Sequence, residues 1–333
     1  MESSRPAVAF EGRTYLELAR LPHLFTAAVD VLAGYWIANE VRIDSRLFWL
    51  LLATSAVYAA GYALNDFCAR GIDPRERPGR PIPSERVEPW KDLILSLSLF
   101  TIGLGASALA GGAAPLIMVL LILATVLYTV GIKARAFLGP VNMAGCRSLN
   151  LILGMGLPFW LEGPGRYLPV YSFFYVFLVG CLSRFETEGK SGNLIVVALL
   201  GWVHFVTILL FLSFWEDLNL GNLPFFALFT AFTGPALLKA GQLQTPSAAE
   251  GALKRMALGI PLLDAIFCSG VQGFAAGVPI ALCTVLAYFL PQPDFRFKDS
   301  EQQEGGGGVG MLTDLLASPA PREPQRVPGK IKN

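Results

Sequence analysis

Long apolar runs separated by short charged connectors constrain this chain more than any other feature. Cutting the sequence wherever charge, proline or glycine interrupts such a run gives nine segments close to the length of about 20 residues that crosses a bilayer. Hydrophobic residues make up 53% of the chain and charged residues 15%, which is too apolar a balance for a soluble domain. We therefore expect an all-α, polytopic helical bundle in the lipid bilayer. The segments lie near Leu21–Ala38, Leu47–Leu64, Leu93–Ala110, Pro115–Gly131, Leu149–Leu161, Leu168–Leu182, Leu194–Phe214, Leu223–Leu238 and within Met256–Leu290.

The last apolar region leaves the number of spans open. It is long enough for two short helices, with Gly270, Gly273 and Gly277 as candidate break points, and this alternative would give ten spans. Basic residues concentrate before the first span and in the loops that follow even-numbered spans, so we expect residues 1–20 and these loops to be cytoplasmic. Residues 21–290 then form the membrane domain. Residues 291–333 lack a packable apolar pattern and are expected to be disordered. Their basic side chains suit the cytoplasmic side, which favours ten spans and conflicts with the nine that we expect, because most of these charges lie far from the last span.

Composition also excludes several classes of function. The net charge is +1 and the basic residues are divided among several connectors, so nothing supports nucleic-acid binding. The five cysteines are scattered and most fall within apolar segments, so neither a disulfide framework nor a zinc spacing follows from them.

One charged block directly follows the second apolar segment. Asp66 and Asp73 are seven residues apart, about two helical turns, and would share a helical face on which their oxygens can hold a hard divalent cation. Arg77 and Arg80 follow closely, and guanidinium groups suit the phosphate oxygens that such a cation leaves exposed. The alternative is a solvated loop with turn-forming prolines.

This block resembles the aspartate-rich signature of the UbiA superfamily of intramembrane prenyltransferases, N-D-x-x-D-x-x-x-D followed by R-P-x-R-P-I-P-S. Asn65, Asp66 and Asp73 match the first part, and the segment Arg77–Ser84 matches the second. The middle acid of the pattern is absent because Ala69 stands there. The resemblance implies that the matching Asn and Asp side chains bind Mg²⁺, which carries the diphosphate of an isoprenoid donor.

The second aspartate-rich motif of UbiA proteins has only a partial counterpart. After the sixth span the chain carries Arg184, Glu186 and Glu188, and residues two apart do not share a helical face. Both glutamates would reach one metal only from an irregular loop. An ordinary solvated loop is the equally weighted alternative.

Several polar residues lie inside or at the ends of apolar spans. Arg147 and Asn150 share a helical face at the start of the fifth span, where Arg147 is placed to hold a diphosphate oxygen or, alternatively, to snorkel to the headgroups. Asp30 and Asp264 lie within spans, and we expect them to be paired because an unpaired carboxylate in a membrane is costly. The segments around Arg147 and Arg184, together with Pro261–Ala265, resemble the EboC-like branch of the superfamily.

The resemblance implies a Mg²⁺-dependent transfer of a prenyl group from an isoprenyl diphosphate to a small lipophilic acceptor, aromatic or other. Asn65, Asp66 and Asp73, with help from Glu186 and Glu188, would hold the metal. Arg80, Lys133 and Arg147 would stabilise the charge that develops on the leaving diphosphate, and Arg77, Asn150 and Arg184 would help to bind it. The rival hypothesis is a non-catalytic carrier or assembly component that keeps the fold and an isoprenoid or lipid pocket. Its evidence is Ala69 and the absence of a second D-x-x-x-D pattern.

Overall fold

The computed structural model describes residues 21–68, 89–132, 135, 137–163, 165–188, 192–215 and 218–289, without the side chains of residues 21–23, 184–188, 192–194 and 211–215. All regular elements in this part of the chain are helical, as the sequence predicts. They are α1 Leu21–Asn39, α2 Ser45–Cys68, α3 Pro89–Ala110, α4 Ala114–Leu127 with a π-turn Tyr128–Ile132, α5 Leu138–Met155, α6 Leu157–Glu162, α7 Leu168–Glu188, α8 Gly192–Trp215, α9 Leu223–Leu243, α10 Pro246–Leu258, α11 Ile260–Gln272 and α12 Phe274–Phe289.

Helices α1 and α5 pack backbone to backbone through two glycines. A side chain at Gly34 would collide with the Leu151 carbonyl, and one at Gly154 would collide with the Val31 carbonyl. Small residues permit this close approach between membrane helices. Asp30 contacts Arg147, and Gly34, one turn later in α1, contacts Leu151, one turn later in α5. The two helices therefore run parallel.

Helices α2 and α3 form an antiparallel pair that packs along much of its length. Ser96 Oγ donates a 2.9 Å hydrogen bond to the Ala60 carbonyl oxygen, and farther along α3 Gly103 packs against Val57. This register brings the first turn of α3 beside the last turn of α2. At the other end of α2, the Tyr35 hydroxyl donates to Asp44 Oδ2 at 2.6 Å, which lowers the pKa of Asp44 below its usual value and fixes the short α1–α2 connection.

The predicted bounds of the fifth span are wrong. The segment Leu149–Leu161 was expected to form one span, whereas α5 begins at Leu138 and ends at Met155, and the chain breaks at Gly156, which adopts a positive φ of 79°. The polar residues around Arg147 suggest a span edge in the sequence, but they lie inside the helix because they have buried partners there.

Four described helices are long and apolar enough to cross a bilayer: Ser45–Cys68, Trp90–Ala110, Ala114–Ile132 and Leu220–Leu243. Shorter apolar helices accompany them at Leu24–Asn39, Leu168–Ser183, Ile195–Leu210 and Phe274–Phe289. The chain is an integral membrane protein, and these lengths alone do not fix nine spans.

The directions of the last helices bear on the span count. Helix α11 runs parallel to α1, since Asp264 lies beside Asp30 and Gln272 Nε2 donates to the Ile37 carbonyl oxygen at 2.8 Å. The chain reverses at Gly273 (φ 87°), and Cys268 Sγ donates to the Ala276 carbonyl oxygen at 3.8 Å across the antiparallel α11–α12 pair. The described chain therefore ends at the end of the bundle where α1 begins.

From these directions we expect ten crossings, which a single-cysteine reporter can test. In a background without the five native cysteines, Gln292→Cys and Ser84→Cys should react with a membrane-impermeant thiol reagent from the same side, and Asn219→Cys from the opposite side. Labelling of Gln292→Cys together with Asn219→Cys would show an odd number of crossings instead.

Candidate functional site

The aspartate-rich block begins in the last turn of α2. Asp66 is buried, with 4% of its surface exposed, and Asn65 Nδ2 lies 3.4 Å from Asp66 Oδ1. The remaining signature residues Asp73, Arg77 and Arg80 lie outside the described residues. Of the predicted metal site, the structure therefore locates Asn65 and Asp66, which lie at one end of the bundle.

A second carboxyl group, which the sequence analysis did not identify, lies at the same end of the bundle. Asp92, in the first turn of α3, is fully buried, and neither of its carboxylate oxygens has a hydrogen-bond partner. It is close enough to Asp66 for the two carboxylates to repel each other. The sequence does carry a signal for Asp92, because it is an acidic residue in the first turn of an apolar helix.

Other predicted site segments converge on the same end of the bundle. A side chain at Gly61 would collide with the Thr125 methyl group, so α4 lies beside α2 and its terminal π-turn Tyr128–Ile132 approaches the Asp66 end. Single π-turns within helices frequently mark functional sites. Lys133, which follows, lies outside the described residues.

Helix α7 brings the second motif to this end as well. Gly180 packs directly on Pro140 in the first turn of α5, and the two helices run antiparallel because Ser148 Oγ donates to the Pro169 carbonyl oxygen at 2.7 Å. The last turns of α7, with Arg184, Glu186 and Glu188, extend past the start of α5. These three residues are helical, not in an irregular loop as a shared metal site would require, and their side chains are not described.

The described donor set fits a hard cation. Asp66 offers carboxylate oxygens and Asn65 an amide oxygen, the ligands that Mg²⁺ accepts in proteins. Asp92, a buried carboxyl group in the first turn of α3 without a hydrogen-bond partner, requires a compensating positive charge or a proton. Among the described side chains no three His, Cys, Asp or Glu residues group into a metal site, and Asp73 lies outside that set.

A second polar cluster lies deeper in the bundle, between α1, α2, α5 and α11. Arg147 Nη1 donates to Asp30 Oδ2 at 2.7 Å and Arg147 Nη2 donates to Thr26 Oγ1 at 2.6 Å. Thr54 Oγ1 donates to Asn150 Oδ1 at 2.9 Å, and the Asn150 amide lies 3.5 Å from Asp30 Oδ2. Asp30 is thus paired, as the cost of an isolated intramembrane charge predicts.

Two further polar groups border this cluster. The carboxyl group of Asp264 lies within hydrogen-bonding reach of Asp30, and the ring of Tyr58 lies 5.9 Å from the Arg147 guanidinium carbon. Asp30 Oδ1, Asp264 Oδ2 and the Tyr58 hydroxyl have no hydrogen-bond partner. The sequence contains no local signal for Thr26, Thr54 or Tyr58, since their roles depend on helix packing.

These contacts change the interpretation of Arg147 and Asn150. Both were expected to contact the donor diphosphate, but both terminal nitrogens of Arg147 and both amide atoms of Asn150 already meet protein oxygens or hydroxyls. Tyr58, which contacts Arg147, precedes Asp66 by eight residues, about 12 Å along α2. Arg147 is only 8% exposed, which also argues against snorkelling to the headgroups.

Known proteins resemble this chain in sequence and in fold. Residues 27–292 match the sequence model of the UbiA prenyltransferase family. A digeranylgeranylglyceryl phosphate synthase of Sulfurisphaera tokodaii is 31% identical over 166 residues, which is 50% of this chain and 59% of that protein. The chain thus matches little more than half the length of this relative.

Solved structures share the fold at lower sequence identity. The structure of a digeranylgeranylglyceryl phosphate synthase in membranes aligns with a TM-score of 0.62 and 20% identity, covering 78% of this chain and 98% of the other. A UbiA homologue from Archaeoglobus fulgidus, bound to GPP and Mg²⁺, aligns with a TM-score of 0.52 and 12% identity, covering 81% and 99%.

Proposed function

Because the chain belongs to the UbiA prenyltransferase family, we propose that it transfers an isoprenyl group from an isoprenyl diphosphate to a lipophilic acceptor within the membrane. The observation that carries this proposal is the buried Asp66, with half-buried Asn65 against it, at the end of the bundle where the other charged motifs converge. The relatives named as digeranylgeranylglyceryl phosphate synthases support a prenyl-transfer chemistry, and the homologue bound to GPP and Mg²⁺ supports a diphosphate donor.

The proposed metal residues are Asn65, Asp66 and Asp73, with no more than one of Glu186 and Glu188 from α7, because residues two apart on a helix do not share a face. Bound Mg²⁺ would neutralise the donor diphosphate and so make it a better leaving group. Asp66 is well placed for this because its burial keeps water away from the carboxylate and strengthens its attraction for a cation.

Arg77, Arg80, Lys133 and Arg184 are the proposed diphosphate ligands. Cationic side chains that stay in place while charge develops on the leaving group lower the barrier, because they stabilise the transition state more than the ground state. In the reaction the allylic carbon–oxygen bond breaks, its electron pair leaves with the diphosphate, and the carbon bonds to a nucleophilic atom of the acceptor, which then gives up a proton. An apolar interior protects the cation-like carbon from water.

Arg147 and Asn150 have a different proposed role, as positioning residues. Their contacts tie α5 to α1 and α2 across the middle of the bundle. They would hold the walls of the isoprenoid cavity in place below the diphosphate site. Arg147 and Asp264 come from two of the segments that resemble the EboC-like branch, and both lie beside Asp30.

We further propose that the converging motifs face the cytoplasm. The loops that leave α2, α4 and α7 at this end hold most of the basic residues of the connectors, whereas the loops at the opposite end hold few.

Donor binding in the presence and absence of Mg²⁺ tests the proposal. The purified protein in nanodiscs should bind an isoprenyl diphosphate at least about 10-fold more tightly with Mg²⁺ than with EDTA, because the metal screens the repulsion between carboxylates and diphosphate. Equal affinity in both conditions would contradict a metal-dependent diphosphate site. A series of donor chain lengths identifies the preferred donor.

The carrier hypothesis remains the second candidate because Ala69 replaces one acid of the signature. Release of pyrophosphate distinguishes the two. An enzyme releases pyrophosphate from the bound donor over time, whereas a carrier binds the donor and leaves it intact.

A further inference from the structure

Asp264 is a buried carboxyl group that the proposed reaction does not use. It lies in α11 with 1% of its surface exposed, and Asp30 in α1 is equally buried. The hydrogen bond from Gln272 to the Ile37 carbonyl oxygen sets the register of these two parallel helices. Asp264 lies eight residues before Gln272. Asp30 lies seven residues before Ile37, so the two carboxyl groups are at nearly the same level of the bundle, within hydrogen-bonding reach of each other.

The charges around this pair do not balance if both carboxyl groups are ionised. Arg147 of α5 is the one cation among the described residues that faces them, and its Nη1 lies 2.7 Å from Asp30 Oδ2. A surplus negative charge would then remain inside the membrane bundle, where it is costly. The other titratable groups that face the pair or Arg147 cannot become positive: Tyr58 and Tyr62 of α2, Cys146 of α5, Cys268 of α11 and Cys283 of α12.

The hydrogen bonds of the pair are also incomplete. Among the described side chains, Asp30 Oδ1 and Asp264 Oδ2 have no hydrogen-bond partner, although the two carboxyl groups are neighbours. Two ionised carboxylates can only accept hydrogen bonds, so a contact between them is repulsive. A protonated carboxyl group has an O–H donor. One proton on the pair therefore converts the contact into a hydrogen bond and removes the surplus charge.

We propose that Asp30 and Asp264 form a site that binds one proton, with Asp264 as a neutral acid that donates a hydrogen bond to Asp30. The proton is assigned to Asp264 because Arg147 contacts Asp30 directly and stabilises its ionised form. The two acids and the guanidinium group then have no net charge, and α11 is tied to α1 by a satisfied polar contact. The site is the same whether the chain is an enzyme or a carrier.

Infrared spectroscopy of the purified protein in nanodiscs detects this proton directly, because a protonated carboxyl group has a carbonyl stretching band that ionised carboxylates lack. At about pH 8, where ordinary carboxylates are ionised, we expect the band in the wild type. Asp264→Asn should remove the intensity of one carboxyl group, and it should fold because it keeps the side-chain volume and an N–H donor toward Asp30. The matched control Glu162→Gln, which replaces an exposed carboxylate, should leave the band unchanged.

The pH dependence of stability is the second measurement. Above about pH 5 the carboxyl groups of an unfolded chain are ionised, so a folded protein that holds the proton releases it on unfolding. This release raises the equilibrium constant for unfolding in SDS by about tenfold per pH unit. We expect the slope to be smaller by one proton in Asp264→Asn than in the wild type. Should that variant fail to fold, Asp264→Thr, which is smaller and keeps a hydroxyl donor, takes its place in both measurements.

Two results would overturn the proposal. The first is a protonated-carboxyl band of equal intensity in the wild type and in Asp264→Asn, together with an unchanged pH slope, because Asp264 would then be ionised. The second is a wild-type stability that depends on Na⁺ or K⁺ and not on pH, because a bound metal cation would then supply the missing positive charge.

Discussion

Replacing Arg147 by Met is expected to destabilise the protein by about 3–5 kcal/mol, the usual cost of removing one partner of a buried ion pair. The substitution would leave Asp30 facing a second carboxyl group, Asp264, without its cation. Thr26 would lose its donor as well. Unfolding by SDS titration in detergent micelles measures the change.

A double-mutant cycle separates the ion pair from general packing effects. Asp30→Asn alone should also be strongly destabilising, and the Asp30→Asn/Arg147→Met double variant should lose less stability than the sum of the two single losses. Strict additivity within about 0.5 kcal/mol would show that the two residues are not coupled, contrary to the 2.7 Å contact between them. Arg147→Lys should recover only part of the stability, because an ammonium group cannot reproduce the simultaneous contacts to Asp30 and Thr26.

Asp66→Asn is expected to lower Mg²⁺-dependent affinity for the isoprenyl diphosphate by on the order of 100-fold, since a metal–carboxylate contact contributes several kcal/mol and about 1.4 kcal/mol corresponds to a factor of ten. Aspartate and asparagine side chains have nearly the same volume, so the variant should keep its fold. Isothermal titration with and without Mg²⁺ measures the loss. Glu162→Gln is again the matched control, because its carboxylate is exposed and far from the charged motifs.

An Asp66→Asn variant that keeps both its donor affinity and its dependence on Mg²⁺ would contradict the metal assignment. An unfolded variant would be recognised by its thermal transition before the titration, and Asp66→Glu, which keeps the charge, would then test the geometry of the site.

The sequence was sufficient to predict the helical membrane fold and the position of Asn65 and Asp66. Long apolar runs are local signals, and the signature residues at the end of α2 are contiguous, so neither depends on knowing which helices meet. The paired state of Asp30 could also be predicted, because an isolated carboxylate in a membrane span is costly.

The partners of these residues could not be predicted in the same way. The contact between Arg147 and Asp30 depends on the close approach of α1 and α5 at Gly34 and Gly154, which are far apart in the sequence. From the sequence alone, where that contact is not visible, the polar start of α5 is interpreted as a connector and Arg147 as a phosphate ligand. Asp92 reaches the last turns of α2 only through the antiparallel register of α2 and α3.

The most direct test of the central claim is prenyl transfer by the purified protein in liposomes. Wild-type protein is supplied with Mg²⁺, an isoprenyl diphosphate radiolabelled in its carbon chain, and an organic extract of the source membranes as acceptor. We expect pyrophosphate release and an equal amount of label in a new lipophilic product, both abolished by EDTA and by Asp66→Asn. Donor that is bound but recovered intact, with no pyrophosphate released across the series of chain lengths, would contradict the prenyltransferase assignment and leave the carrier in its place.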